Sequence, residues 1–267
     1  MSQNIHPTAV IEDGAQLGSD VSIGPYCVVG PHASLGDNVT LKAHVVIDGH
    51  TAIGEGTTIY SFASIGSAPQ DLKYRGEPSE LIIGKNNTIR EHVTINPGTE
   101  SGGMKTIIGD NCLLMVGAHV AHDCILGNNV IMANNATLGG HVSVGDHALL
   151  GGLSAVHQFV RIGAFAVIGG LSGIADDVIP YGRAKGEKAY LSGLNLVGLE
   201  RANFSKEQIR KLQKAFNQLF DSADGNFSQR LEAVSSEYAD DPAIMEIIRF
   251  ADEENKFGLC QPRKKAA

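Results

Sequence analysis

An aliphatic residue or methionine returns every six positions along most of this chain. The series runs Ile5, Ile11, Leu17, Ile23 and onward to Ile65, resumes at Ile83, Ile89 and Ile95, and, after a slip of one residue, continues without a miss from Ile108 to Ile174. These 26 positions in three blocks exclude a chance pattern. Glycine follows directly at 14 of them, and a small or β-branched residue such as Ala15, Val21, Cys112, Ala118 or Ala136 stands two positions before. Six is a poor period for a helix and suits short strands joined by tight corners. The aliphatic and the small residue two before it share one strand face. The glycine after the aliphatic is expected to supply the backbone conformation that a corner needs. Three hexads make a triangular coil of 18 residues. Coils stacked at roughly 4.8 Å pair as parallel strands around a column of aliphatics.

Two places break the period. From Ile65 to Ile83 the frame is kept, but Asp71 and Glu77 fill the aliphatic positions among Pro69, Gly76 and Pro78. Ile95 and Ile108 are 13 residues apart, and Asn-Pro-Gly-Thr-Glu-Ser-Gly-Gly-Met-Lys lies between them. Both read as loops projecting from the prism, near 66–82 and 96–107. Beyond Ile174 the pattern turns helical. Ser205 and Gln208 form a capping box before Ile209, Leu212, Phe216, Leu219 and Phe220. Leu231 and Val234 suggest a second helix. Asp241 before Pro242 starts a third, with Ile244, Ile247, Ile248 and Ala251 on one face. The expected organisation is an all-β parallel β-helix over residues 1–185 followed by an α-helical domain over 186–267.

Composition narrows the function classes. A charged fraction of 19% against 43% hydrophobic residues excludes global disorder, and 32 glycines without a G-X-Y period exclude collagen. No apolar run is long enough to cross a membrane. The N-terminus lacks the basic-then-apolar plan of a signal peptide, so the cytoplasm is the expected compartment. A net charge of −8, with no basic run in the first two-thirds, argues against nucleic acid as a partner. Cys27, Cys112 and Cys124 occupy the small core position of the repeat, so they read as apolar filler rather than as disulfides or nucleophiles. Cys260 lies in the tail.

Five of the ten histidines fall between residues 119 and 157. Residues 18 apart stack one coil apart, which places His122, Gly140 and Gln158 in one corner column. His141 and His157 flank it, and His119 precedes it. A second corner column holds Asn134, Gly152 and Gly170, where successive glycines leave a groove without side chains. Three readings of the histidines stand together: solvated corner residues, a general base with a neutral-range imidazole, or metal ligands. His119-x-x-His122 is a poor spacing for two ligands on one extended strand, so acid–base chemistry ranks above metal.

Three segments carry a family resemblance: Gly-Ala-His-Val-Ala-His-Asp at 117–123, Ile-Met-Ala-Asn-Asn-Ala-Thr-Leu-Gly-Gly-His at 131–141, and Ala-Val-His-Gln-Phe at 155–159. With Ile-Gly-Ser-Ala-Pro-Gln-Asp-Leu-Lys-Tyr-Arg-Gly-Glu at 65–77, the chain resembles the acyl-carrier-protein-dependent UDP-N-acetylglucosamine O-acyltransferases that begin lipid A synthesis. The resemblance covers essentially the whole chain. It implies a left-handed coil, whereas crossover geometry alone favours the right hand. It implies transfer of a 3-hydroxyacyl chain from the phosphopantetheine of acyl carrier protein to the glucosamine 3-position, with no further cofactor. In this resemblance His122 is the general base, Asp123 supports it, and the Gly140 N–H receives the thioester oxyanion. Gln70, Asp71, Lys73, His119, His141, Gly152, His157 and Gln158 are substrate contacts, Asp71 and Lys73 reaching in from a neighbouring subunit of a homotrimer. Asn195 and Arg201 hold the UDP portion, although Val197, Ala202 and Lys188 depart from the pattern there. Gly170 limits acyl length, and a glycine there implies a long chain.

The competing expectations are a hexapeptide acyltransferase acting on a 3-amino UDP-sugar and, further off, a His-metal β-helix enzyme. The related N-acyltransferase carries an extra N-terminal domain, for which hexads starting at Ile5 leave no room. Acetyl-coenzyme A chemistry and a non-catalytic solenoid lack a use for the 65–77 loop and for Asp123 beside His122. An acidic carrier protein calls for a basic surface, for which Arg201, Lys206, Arg210, Lys211 and Lys214 are candidates.

Overall fold

The computed structural model describes residues 4–222, 224–253 and 256–263. The hexads form two-residue strands, lengthened to four at His50–Ile53, Glu80–Ile83 and Lys105–Ile108. They assemble into three sheets of 11, 9 and 8 strands. Consecutive strands fall on different sheets, and each pairs in parallel with the strand one coil later, as in Ile131↔Leu149 and Leu149↔Val167. The result is a left-handed, three-sided parallel β-helix. Along each strand the hexad aliphatic points inward. Ile59, Ile89, Leu114, Met132, Leu150 and Ile168 are completely buried. The residue before each points outward, so the column of aliphatics is the core.

The glycines after the aliphatics have a different purpose from the expected one. Gly139 and Gly151 do not take the left-handed conformation. A Cβ on Gly139 would lie 2.8 Å from the Gln158 backbone nitrogen, and one on Gly151 would lie 2.4 Å from that of Gly170. These glycines let the next coil approach. The left-handed conformation falls two residues later, at Asn135, His141, His147 and Leu153, with φ of 57–63°. Asn, Asp and His tolerate that region best among side-chain-bearing residues, which accounts for their frequency at the corners.

Both breaks in the period leave the prism as loops, 66–79 and 96–104, and strand pairing resumes at Glu80 and Lys105, which face each other across the ladder. The loops are tied together. The Asn96 amide donates to the carbonyls of Ser67 (2.9 Å) and Ala68 (3.3 Å), and the Glu100 N–H donates to Glu77 (3.2 Å).

At the far end Gly182–Lys185 continues the largest sheet and turns back antiparallel as Tyr190–Leu194, so β structure extends past residue 185. Among the described residues four helices follow: α1, Leu196–Arg201; α2, Lys206–Phe220; α3, Phe227–Glu237; and α4, Pro242–Asp252. The Ser205–Gln208 capping box and the Asp241 cap start α2 and α4 as the sequence predicted. Helix α1 was not anticipated; it is a single short turn and a half capped by Asn195. Arg161 fastens the helices to the prism. Its guanidinium bonds Asp177 and Glu253, each at 2.7 Å, and the Phe250 carbonyl at 2.9 Å, and lies 4.3 Å over the Phe250 ring. All four cysteines are buried and unpaired; burial pushes the Cys112 thiol up to about 11 and the Cys124 thiol up to about 12. Among the described residues no helix is long and apolar enough to cross a membrane.

Candidate active site

The strand His119–Val120 lies on the 9-stranded sheet and Ile125–Leu126 on the 8-stranded sheet. The corner between them is His122–Asp123. Stacking follows the 18-residue geometry: His141 N–H donates to the His122 carbonyl (3.0 Å), and Phe159 N–H to the Gly140 carbonyl (3.0 Å). His122 therefore sits one coil below Gly140 and two below Gln158.

His122 Nδ1–H donates to Asp123 Oδ2 at 2.7 Å. The Asp123 carboxylate is wholly buried, while His122 keeps 15% of its side chain exposed. Asp123 receives two further donors, both from Thr99 in the 96–104 loop: the backbone N–H at 2.8 Å and the hydroxyl at 2.6 Å. The Asp123 backbone N–H in turn donates to Thr106 Oγ1 at 2.8 Å. A buried carboxylate with its oxygens filled by donors is an ionised acceptor, and it fixes the proton of His122 on Nδ1. Nε2 is left bare toward the cleft.

On that open side stands Asp71 of the 66–79 loop, its carboxylate 3.9 Å from His122 Nε2. The Lys73 backbone N–H, at 2.9 Å, holds the Asp71 carboxyl below the usual carboxylate range. Within a single chain the Asp71 loop already reaches this corner. Lys73 and Gln70 are exposed on the same loop.

Gly140 packs flat against the imidazole. A Cβ there would lie 2.5 Å from His122 Cε1 and 2.7 Å from Nε2. Its N–H donates to no carbonyl among the described residues. His141 meets the His122 ring edge-on, with centroids 5.1 Å apart, and stacks on Phe159 at 4.3 Å. His119 accepts or donates one bond with Thr94 Oγ1 at 2.7 Å. Burial pushes both His119 and His141 below the ordinary imidazole range. His157 and Gln158 are exposed at the top of the column, His157 edge-on to Phe257. His122, Asp123 and His141 offer ligand atoms within 4.8 Å of one another. The 2.7 Å Nδ1–Oδ2 separation is a hydrogen bond; two ligands on one tetrahedral zinc stand about 3.3 Å apart at bond lengths near 2.0 Å.

The glycine column is also present. A Cβ on Gly170 would lie 3.1 Å from the Gly152 carbonyl oxygen, and one on Gly152 3.3 Å from that of Asn134. This column marks the corner between the 11- and 9-stranded sheets, so the 9-stranded face runs between it and His122.

Two predicted residues are placed apart. Asn195 and Arg201 line a groove of about 590 Å³ with Ile131, Leu149 and Val167 on the outer face of the 11-stranded sheet. In a three-sided prism that face is opposite the His122 corner. The Asn195 side chain is engaged structurally, accepting from Gly198 N–H (3.0 Å) and donating to the Phe165 carbonyl (2.9 Å). Sequence reasoning missed Thr99, Gly102 and Thr106. Their signal was the 13-residue gap itself, whose position on the coil lies directly beneath Asp123.

Over nearly its whole length the chain is similar to known proteins. The family described as Udp N-acetylglucosamine O-acyltransferase, domain 2, matches residues 177–260, and the bacterial transferase hexapeptide family matches 105–140. An acyl-[acyl-carrier-protein]–UDP-N-acetylglucosamine O-acyltransferase of Sulfurovum sp. is 55% identical over 87% of this chain and 90% of its own length. One of the same description from Rickettsia canadensis is 51% identical over 98% of this chain and 99% of its own. The solved structure of UDP-N-acetylglucosamine acyltransferase from Campylobacter jejuni superimposes with a TM-score of 0.92 at 43% identity, covering 97% of this chain and 100% of that one.

Proposed function

Since this chain belongs to the acyl-[acyl-carrier-protein]–UDP-N-acetylglucosamine O-acyltransferase family, we propose that His122 is the general base of its reaction. The chain is an acyltransferase that moves an acyl group from acyl carrier protein to UDP-N-acetylglucosamine in lipid A biosynthesis. The single observation that carries the assignment of the base is the pairing of His122 Nδ1 with the buried Asp123, which leaves Nε2 as the free acceptor of that ring.

The chemistry follows. Nε2 takes the proton of the glucosamine 3-hydroxyl as its oxygen attacks the thioester carbonyl. Asp123 stabilises the imidazolium that forms, as the carboxylate of a triad does. The carbonyl oxygen gains negative charge, and the Gly140 N–H, which donates to no carbonyl among the described residues, is the donor assigned to it. The tetrahedral adduct collapses with loss of the pantetheine thiolate, which takes the proton back from His122. Asp71 and Lys73 close the sugar side, with Gln70, His119, His141, His157 and Gln158 around the sugar and the head of the acyl chain. Gly152 and Gly170 leave a bare strip for the tail of a long 3-hydroxyacyl chain. A Gly170→Met variant should lose activity on the long donor and keep it on a shorter one.

The opposite placement of His122 and of the Asn195–Arg201 groove supports a working homotrimer. A nucleotide held by Arg201, whose guanidinium suits a pyrophosphate, can reach a base on another copy. Mixing His122→Ala with Arg201→Ala protein should restore activity that neither shows alone. The carrier protein would meet the exposed, basic side of α2. There Lys211 and Lys214 are paired with Glu207 and Glu237, and Lys206 and Arg210 have no acidic partner among the described residues. The compartment of this reaction is the cytoplasm, where carrier-bound acyl chains and sugar nucleotides are both made.

The test is a transfer assay with 3-hydroxymyristoyl carrier protein and UDP-N-acetylglucosamine, the product being read by mass spectrometry. Wild type should give the 3-O-acyl sugar nucleotide, and His122→Ala should lose roughly 10²–10⁴-fold. Full activity in His122→Ala would remove the base assignment. Product only from a 3-amino acceptor would replace the substrate.

A further inference from the structure

The 13-residue gap between Ile95 and Ile108 puts a loop where a regular coil would put a bare corner. Within that loop Thr99 gives both of its donors to one carboxylate. Thr99 is 3% exposed, and its hydrogen bonds go to Asp123 rather than to His122. Its N–H reaches Asp123 Oδ1, and its hydroxyl reaches Oδ2, the same oxygen that accepts from His122. The loop also roofs the carboxylate. Any Cβ on Gly102 would lie 2.0–2.3 Å from the Asp123 carboxylate atoms, so only glycine fits. From below, Thr106 holds the Asp123 backbone, which has the left-handed φ of 59°. The carboxylate therefore has one position and one set of partners.

We propose that Thr99 is a positioning residue for catalysis: through Asp123 it fixes the tautomer and orientation of His122. This rests on the reading of His122 as the base. Without the hydroxyl, Oδ2 keeps only the His122 proton, and the carboxylate, then held by the Thr99 N–H on Oδ1 alone, is less firmly fixed against turning away from Nδ1. An imidazole released from that acceptor divides its proton between its two nitrogens, and the fraction with Nε2 protonated cannot accept from the sugar. The loop is built to prevent this. Its own turn is closed by Gly102 N–H and Met104 N–H, both donating to the Thr99 carbonyl at 3.0 Å. The links from Asn96 and Glu100 brace it on the neighbouring loop. The same brace joins the residues that hold the base from behind to the loop that carries Asp71 in front.

The experiment compares Thr99→Val, Thr99→Ser and wild type. Histidine ¹⁵N spectra of the protein without substrate report the His122 tautomer, and steady-state kinetics report kcat and KM separately. Wild type should show His122 protonated at Nδ1 and bare at Nε2. Thr99→Val should give a mixture, with kcat lower by roughly 10–100-fold, the worth of one hydrogen bond to a charged group, and KM for the sugar nucleotide unchanged. Thr99→Ser should restore both. A wild-type tautomer and kcat in Thr99→Val overturn the proposal. So do equal losses in the Val and Ser variants with the tautomer intact, which would mark a merely structural role. If Thr99→Val does not fold, Thr99→Ala removes the same hydroxyl with a smaller side chain and keeps the backbone N–H to Oδ1. It should show the same mixture and loss, and wild-type behaviour there is equally fatal. A tautomer change alongside a wild type that transfers no acyl group would support the positioning role and sink the reaction assignment instead.

Discussion

The coils from Thr137 to Ile174 and the coils around the two loops are made from the same hexads, yet they use them differently. In the upper stretch every hexad aliphatic is buried, every ladder pair is in register, and no loop covers the corners, whose rings stack from coil to coil as His141 on Phe159 and His147 on Phe165. Lower down, the strand ladder is equally regular, but two insertions fold over one corner and cover it. His122 alone would be a solvated corner residue, like His147. Covered by Thr99 and Gly102 behind and Asp71 in front, it becomes half of a buried dyad. The repeat supplies a stiff ruler, and its interruptions supply the chemistry.

If that division is right, damage to the ruler and damage to the covered corner should separate in the laboratory. The largest effect expected is on the ruler. Leu150 is completely buried in the uninterrupted stretch, and Leu150→Ala should lower unfolding stability by about 2–5 kcal/mol. The activity of the molecules that remain folded should be unchanged. Urea denaturation with activity measured well below the midpoint checks both halves. A large fall in kcat of folded protein would show that core packing at Leu150 is transmitted to the site.

Gly140→Ala comes next and reverses the pattern. Its new Cβ would collide with an imidazole edge, which can swing aside. Stability should hardly move, while kcat falls on the order of 100-fold as the base leaves its place. Gly151→Ala is the control, because its Cβ meets the Gly170 backbone nitrogen and a backbone cannot swing. That variant should lose about 1–3 kcal/mol of stability. Equal losses of stability in the two alanine variants would mean that corner glycines all serve one purpose.

The sequence exposed the ruler almost completely and the corner only in part. A period of six with 26 occupants has few solutions, and the 18-residue coil places His122, Gly140 and Gln158 in one column by spacing alone. Asp123 was legible as a neighbour of His122. Thr99 was not, because threonine in a Pro- and Gly-rich loop has no periodic signature, and its partner lies 24 residues away. The purpose of the glycines was misplaced for a related reason. A hexad shows which residue follows the aliphatic, but the clash that demands glycine comes from the next coil. The distance between His122 and Asn195 was likewise hidden, since a motif that gathers functional residues in one list does not say that they occupy one face.

The smallest effect expected is a pH dependence of stability, and it tests whether burial at the covered corner has a cost. Burial is the main reason that His119 sits below the ordinary imidazole range, with the neighbouring His122 adding to it. In the unfolded chain it titrates near 6.5. Above that value both states are neutral and the stability is fully present. As pH falls through about 6.5 the unfolded chain takes up a proton that the folded chain refuses, so stability declines until the lowered folded value is reached. One such group contributes a slope below about 1.4 kcal/mol per pH unit. His119→Gln keeps a partner for the Thr94 hydroxyl and cannot titrate, so its stability should fall less steeply than wild type between about pH 6.5 and 5. Paired denaturation curves across that window decide the matter. Identical slopes would mean that the strand beneath His122 is hydrated enough to accept a charge, and that the dryness of this corner is confined to Asp123.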